Sequence, residues 1–451
     1  SAKASLSTVI LKGTKREEVE KYKERVKELE EQVETLESEI SQKSGQYRAQ
    51  IQAINLENVT KAVPEKALLV EFTSYQPYDA KKDKLEPNRY AVYTLDNKGK
   101  VGWADLGEVK EIDRLAGEFR DRLKGKKNSR VMSQKLYQKL MKPIVEIAGK
   151  RERLFLSPDG SLNLIPFAAL LDSKGKYLVE KYKLTYLTSG RDLLRLQAKT
   201  ESGQTAFIFA NPDYGQGEGL ILKGRKFTAL KRLPATAEEG KSIKMILKQA
   251  ELRMDREATE SSIKQVSRPE ILHIATHGYF MEDLERKNVE ESRILVQQNS
   301  QDIDIEKEKK ENPLLRSYLF FAGANEGGDK ESDGTLTALE AANLDLLGTK
   351  LVVLSACDTA VGEAKNGEGV YGLRRALVLA GSESQMMSLW QVSDKATKEL
   401  MVDYYTKLKA GEGRSDALQN VQLKMLHSKQ YSHPYYWASF IQSGQWAKLE
   451  R

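Results

Sequence analysis

The sequence predicts an α/β protein built on a mainly parallel sheet with helices on both faces. Two observations carry this. From Thr205 onward, short apolar runs alternate with amphipathic helical stretches, and strands that are apolar throughout and separated by helices form parallel sheets buried on both sides. Before that point, strand-like runs and helices are interleaved around turn residues such as Asn97-Lys98-Gly99 and Pro158-Asp159-Gly160.

The elements follow in order. Val19, Tyr22, Val26, Leu29, Val33, Leu36 and Ile40 recur by threes and fours, a heptad seam over about three heptads. It reads either as a helical arm packed on its neighbour or as a helix that dimerises or docks a partner. Residues 66–72, 89–95 and 101–105 read as strands, 109–123 and 133–147 as helices, and 153–156 as a strand, followed by an apolar run at 164–171. In the second half, 206–210, 271–276, 317–321, 351–355 and 384–390 read as strands. Residues 235–247, 336–344, 368–380, 395–408 and 415–426 read as helices. The polar stretches 297–312 and 326–333 read as surface loops. The expected division is an arm over 1–60, a first half over 61–200 and a second half over 201–451.

Composition narrows the classes. The chain has 451 residues, 40% hydrophobic and 30% charged, as in a globular protein with a real core. No run approaches the ~18 apolar residues of a membrane span, so no membrane partner is expected. A leading Ser-Ala resembles a tag remnant, and the chain is expected to be the C-terminal piece of a longer protein. The net charge of +7 arises from 72 basic and 65 acidic residues that are interleaved. Nucleic-acid grooves cluster cations around aromatics, so nucleic acid is not expected to be bound directly. One cysteine excludes an intrachain disulfide and a cysteine metal cluster, and an unpaired thiol suits a reducing cytoplasm. No cofactor or metal is expected. The run Gly367-Glu-Gly369-Val-Tyr-Gly372 fits a dinucleotide-binding glycine pattern, but it does not directly follow the first strand of a βαβ unit; it reads as a loop entering a helix.

Two strands end in reactive side chains. Ile-Leu-His-Ile-Ala-Thr-His-Gly over 271–278 closes on His277, and Leu-Val-Val-Leu-Ser-Ala-Cys-Asp over 351–358 closes on Cys357, the only thiol. Parallel neighbours emerge at one sheet edge, where α/β sites sit. A thiol is mostly protonated near neutral pH, and a neighbouring imidazole supplies the base that frees the thiolate. The backbone N–H groups of Gly278 and Cys357 are candidate donors to a developing oxyanion. Read singly, Cys357 is a small core residue and His277 a structural histidine; read together they form a dyad. His273 lies inside its strand and reads as packed.

Several runs resemble the CHAT domain, a caspase-like peptidase domain related to separase that often follows tetratricopeptide repeats. They are 271–278, Gly-Thr-Leu-Thr-Ala-Leu-Glu at 334–340, 351–360, Asn-Gly-Glu-Gly-Val-Tyr-Gly-Leu-Arg-Arg at 366–375, Ser-Leu-Trp-Gln-Val-Ser-Asp at 388–394 and His-Pro-Tyr-Tyr-Trp at 433–437. The resemblance covers roughly residues 60–447. It implies a caspase-like three-layer sandwich, a degenerate companion half before the active half, and a His277–Cys357 dyad. It departs from caspases proper: only Ala-Cys of the Gln-Ala-Cys-x-Gly signature is kept, and His277 stands farther upstream than the about 50 positions usual there. The insertion over 279–334 accounts for the excess. Similarity to a separase stretch implies that Asp394, with Trp390, lines a primary specificity pocket that selects a basic residue. Asp394 also reads as a helix N-cap, and Asp358 and Glu363 are alternative acids. The implied activity is a cysteine endopeptidase in bacterial signalling or defence. Its implied partners are a protein substrate, such as a gasdermin-like effector, and a regulator on the N-terminal helix. A catalytically silent scaffold is the alternative.

Overall fold

The computed structural model describes residues 25–29, 31–32, 54–198, 200–203, 205–217, 219–222, 225–280, 313–327, 332–355, 357–358, 368–390 and 392–449. The loop expected at 297–312, most of the heptad seam, Glu363 and the start of the glycine run at 366–367 lie outside them.

The first half opens with β1 (Ala67–Tyr75), β2 (Arg89–Leu95) and β3 (Val101–Glu108), followed by α1 (Val109–Lys124), β4 (Arg153–Ser157) and β5 (Lys183–Tyr186). The helix expected over 133–147 is divided into Arg130–Leu136, a π turn at Tyr137–Met141 and Lys142–Ala148. Pro143 explains the division, because it removes a backbone donor and crowds the carbonyl one turn earlier. The apolar run at 164–171 contains a short 3₁₀ turn, Phe167–Ala169.

The second half contains β6 (Ala206–Pro212), α2 (Pro234–Ile246), β7 (Glu251–Asp255), α3 (Glu260–Lys264), β8 (Ile271–Ala275), β9 (His277–Phe280) and β10 (Ser317–Phe320). Then come β11 (Thr335–Thr337), α4 (Ala338–Ala341), β12 (Leu351–Leu354), β13 (Cys357–Asp358), α5 (Glu368–Leu379) and β14 (Ser384–Ser388). The last elements are α6 (Asp394–Lys409), α7 (Arg414–Leu426), α8 (Pro434–Trp437) and β15 (Phe440–Gly444). The helix expected over 336–344 is instead β11 followed by the single turn α4. Thr337 starts that turn, accepting from the Glu340 N–H while the Glu340 carboxylate accepts from the Thr337 N–H.

Eleven strands form one sheet in the order β7-β6-β8-β12-β14-β15-β5-β4-β1-β2-β3. It is parallel except at β14–β15, β1–β2 and β2–β3. Every residue of β8, β12 and β14 is buried, so both faces are covered and the protein is a three-layer α/β structure. On one face α2 approaches closely at Gly240, where a Cβ would stand 3.0 Å from the Ala210 Cβ. The halves meet where β15 lies beside β5, with Ser443 opposite Tyr186. Polar contacts reinforce this seam: Arg153 and Lys183 both reach Asp416, at 2.7 and 3.1 Å, and Thr185 bonds Ser415.

A second, four-stranded sheet in the order β11-β10-β9-β13 stands at the carboxyl edge of the first. It has its own small core, in which Tyr279, Tyr318 and Phe320 pack with Tyr214 and Phe227. Of the heptad seam, Val26 and Leu29 are described. They pack on Leu314, Leu315 and Leu339, which supports the packed-arm reading for this stretch. Among the described residues no helix is long and apolar enough to cross a membrane.

Candidate active site

The two strands that end in His277 and Cys357 are adjacent. β8 pairs with β12 in parallel, Ile271 opposite Leu351 and Ile274 opposite Leu354. Both chains then leave the main sheet and pair again as β9 and β13. The offset set by Ile271 and Leu351 still holds there, so His277 stands opposite Cys357 and Gly278 opposite Asp358. Neighbouring strands lie about 4.8 Å apart, which makes the two reactive residues immediate neighbours on the backbone. For Cys357 and Asp358 only the backbone is described.

Hydrogen bonds fix the switch from one sheet to the other at Thr276. Its hydroxyl donates to the Phe320 carbonyl and lies 2.8 Å from the Tyr214 hydroxyl, which in turn accepts from the His277 N–H at 3.2 Å. The Tyr214 ring also packs on the imidazole, centroids 5.2 Å apart. Burial pushes the Tyr214 phenol up to about 12, so this anchor stays a neutral hydroxyl. The imidazole is itself buried, and Nε2 lies 2.8 Å from the Lys231 carbonyl. A carbonyl only accepts, so Nε2 carries the proton and Nδ1 is the basic nitrogen of the neutral ring. Burial lowers the His277 pKa below its ordinary value, partly opposed by the Lys231 hydrogen bond. Burial therefore favours the neutral ring.

A pocket of about 40 Å³ opens beside the imidazole. Its lining includes His277, Thr276, Ser355, Glu239, Asp394 and Thr397. Two carboxylates thus line a cavity that borders His277, and no lysine or arginine side chain lines it among the described residues. Among those residues no group of three or more His, Cys, Asp or Glu is placed to hold a metal ion.

A CHAT domain profile matches residues 130–445, most of the chain. The chain belongs to the CHAT domain family. Tetratricopeptide repeat protein 28 from Homo sapiens is 28% identical over 320 residues, and its Mus musculus counterpart is 26% identical over 329 residues. Each match covers 67% of this chain but 12% of the relative, so the CHAT chain spans only a small part of their length. Among solved structures, the Saccharomyces cerevisiae separase–securin complex aligns at a TM-score of 0.43 and 10% identity, covering 86% of this chain and 30% of that one. The Arg specific cysteine proteinase gingipain R aligns at 0.37 and 9%, covering 74% and 68%.

The remaining residues expected at this CHAT site fall in different places. Asp394 lines the pocket. It is the first residue of α6 rather than its cap: Ser393 holds the cap position and makes no side-chain cap bond. A carboxylate in the first turn still complements the helix dipole. Trp390 is placed otherwise. It is 3% exposed within the main core and absent from the pocket lining, because its indole N–H is drawn to the Tyr435 carbonyl at 3.1 Å. His273 is fully buried, between Tyr405 and Glu239. His433 caps α8, and His427 ends α7. Three groups escaped sequence reasoning: the Lys231 carbonyl, Tyr214 and Glu239. A backbone carbonyl carries no sequence signal, and Glu239 follows Glu238 on an amphipathic helix, where it reads as a solvated face.

Proposed function

We propose that this CHAT domain is a cysteine endopeptidase with Cys357 as nucleophile and His277 as general base. The observation that supports this most directly is the register pairing of His277 with Cys357 at the carboxyl edge of the main sheet. Register partners project their side chains on the same face of a sheet, and the proposed dyad rests on this backbone pairing. In the proposed cycle Nδ1 of His277 takes the thiol proton. The thiolate adds to the substrate carbonyl carbon, and the carbonyl oxygen takes the negative charge beside the N–H groups of Gly278 and Cys357. Collapse breaks the C–N bond while His277 returns its proton to the leaving amine. Water, deprotonated by the same nitrogen, then hydrolyses the thioester, releasing the acid and restoring the thiol.

Throughout this cycle the Lys231 carbonyl keeps the Nε2 proton in place, leaving Nδ1 to cycle between base and acid. The same carbonyl stabilises the imidazolium that forms transiently. Asp394, at the pocket beside the imidazole, favours a basic residue before the scissile bond. Replacing it with alanine removes cleavage after arginine and lysine.

The test is covalent capture. Incubation of the full chain with peptides bearing an acyloxymethyl ketone is expected to modify Cys357 in the wild type and to fail in His277→Ala. A small alkylating agent such as iodoacetamide modifies the thiol in both. Wild-type protein alkylated by iodoacetamide yet inert to every peptidyl probe is a scaffold, not a peptidase.

A further inference from the structure

The pocket beside His277 has a built floor that neither the dyad nor Asp394 explains. Glu239, on α2, is 2% exposed, yet it lines this cavity. Its Oε2 accepts from the Ser355 hydroxyl at 3.3 Å. Its Oε1 lies 3.1 Å from His273 Nε2, and the approach is not aligned for a hydrogen bond. Among the described residues Oε1 accepts no hydrogen bond at all. An ionised carboxylate offers about four acceptor positions, and a buried one with unused capacity is costly unless a donor arrives. On the far side of the imidazole, His273 Nδ1 is 3.0 Å from the Tyr405 hydroxyl. The carboxylate is thus flanked by His273 on β8 and by Ser355 at the end of β12, and Glu239 contributes to the lining of the cavity.

We infer that Glu239 is a second specificity determinant of the site and that, together with Asp394, it selects an arginine side chain before the scissile bond. The inference rests on the peptidase reading above. The two carboxylates come from different helices, Glu239 from the second turn of α2 and Asp394 from the first residue of α6. A guanidinium carries five donors in a planar fork and can engage both, whereas an ammonium is a compact point charge. At about 10–15 Å³ for each water-sized group, a cavity of about 40 Å³ takes a planar head of a few heavy atoms. Thr236 and Thr397 complete this side of the wall. Ser355, which holds Oε2, stands two residues before the nucleophile, so the floor of the pocket and the reacting thiol belong to one segment of chain.

The experiment compares second-order labelling of Cys357 by acyloxymethyl ketone peptides that differ only in the first residue, arginine, lysine or leucine. In the wild type the order is arginine, then lysine, then leucine. Glu239→Gln slows the arginine probe by about 10–100-fold, the loss of one charged buried hydrogen bond, and leaves the leucine probe near its wild-type rate. Glu239→Asp, which keeps the charge on a shorter stem, retains the cationic preference at a reduced rate and guards against a mere folding defect. Equal slowing of all three probes by Glu239→Gln overturns the inference and makes Glu239 a positioning residue for the Ser355 segment. An unchanged arginine preference also overturns it. A second arm separates this failure from that of the peptidase reading. Agmatine is added to Cys357→Ala protein, and its thermal stabilisation is measured with and without Glu239→Gln. Stabilisation that depends on Glu239 in a protein no peptidyl probe can label keeps the pocket and discards the peptidase. No stabilisation by agmatine discards the pocket.

Discussion

The Nε2–H of His277 donates to the Lys231 carbonyl at 2.8 Å, and this contact decides which nitrogen of the neutral ring carries the proton. It also sets the pH response. Burial depresses the His277 pKa below 6.5, so the imidazole remains neutral, and competent as a base, down to mildly acid pH. The rate of Cys357 labelling by a peptidyl electrophile is therefore expected to hold at pH 6.5 and to fall only below it. A limb centred above pH 7 would show that another group governs the reaction. The same shift affects stability. The unfolded ring binds a proton at a higher pH than the folded ring, so the His277 contribution is full above 6.5 and is lost as pH falls from there through the lower value of the folded ring.

Tyr214 supplies the acceptor for the His277 backbone N–H and bonds Thr276 where the strand changes sheets. Tyr214→Phe removes both contacts at a buried position. About 1–3 kcal/mol of stability should be lost in denaturant titration, and peptidyl labelling should slow because the imidazole is less firmly held. Unchanged labelling at reduced stability would restrict Tyr214 to a structural role.

Glu260 gives the fold a second response to pH, of opposite sign. Its carboxylate accepts from the N–H groups of Gly334 and Thr335, at the start of β11, and pairs with Lys264, which also reaches Glu340 at 3.0 Å. Burial pushes Glu260 up to about 7, with Glu340 and Asp333 adding to the rise and Lys264 opposing it. Between about pH 4.5 and 7 the folded state thus binds more protons than the unfolded chain. This contribution to stability is full at the acid end of that window and is lost as pH rises through 7. Thermal midpoints measured from pH 5 to pH 8 should fall more steeply for the wild type than for Glu260→Gln. Parallel curves would remove Glu260 from the account.

Leu29 is 3% exposed and packs against Leu315 and Leu339. Leu315 belongs to the turn that leads into β10, the partner of β9. Leu29→Ala is expected to cost about 2–3 kcal/mol locally. It should raise amide exchange over 313–320 while leaving the main sheet protected. Uniform exchange throughout would show that the arm is not seated there.

Much of the main sheet is legible in the sequence because its central strands are apolar on both faces. The stretch 89–95 coincides with β2, and 351–355 with β12 to within a residue. β15 is invisible for a physical reason. Phe440–Gly444 contains Gln442 and Ser443, buried polar residues, and Gln442 is satisfied by the Ser443 and Gln445 carbonyls. Hydrophobic patterning cannot register a strand whose burial is underwritten by hydrogen bonds. β5 is short and partly polar for the same purpose: Thr185 bonds Ser415 across the seam. At the site, His277 and Cys357 stand out because each closes an apolar run. Glu239 does not, since a carboxylate beside another on a helix carries no mark of which one turns inward.

The sixth of the eleven strands in space, β15, is the last of the described strands to be synthesised. While it is still within the ribosome, β14 and β5 each present an open edge, and open edges recruit foreign strands. The nascent polypeptide therefore passes through a vulnerable interval in which its two sheet fragments await a common keystone, and that interval closes only when residues 440–444 emerge.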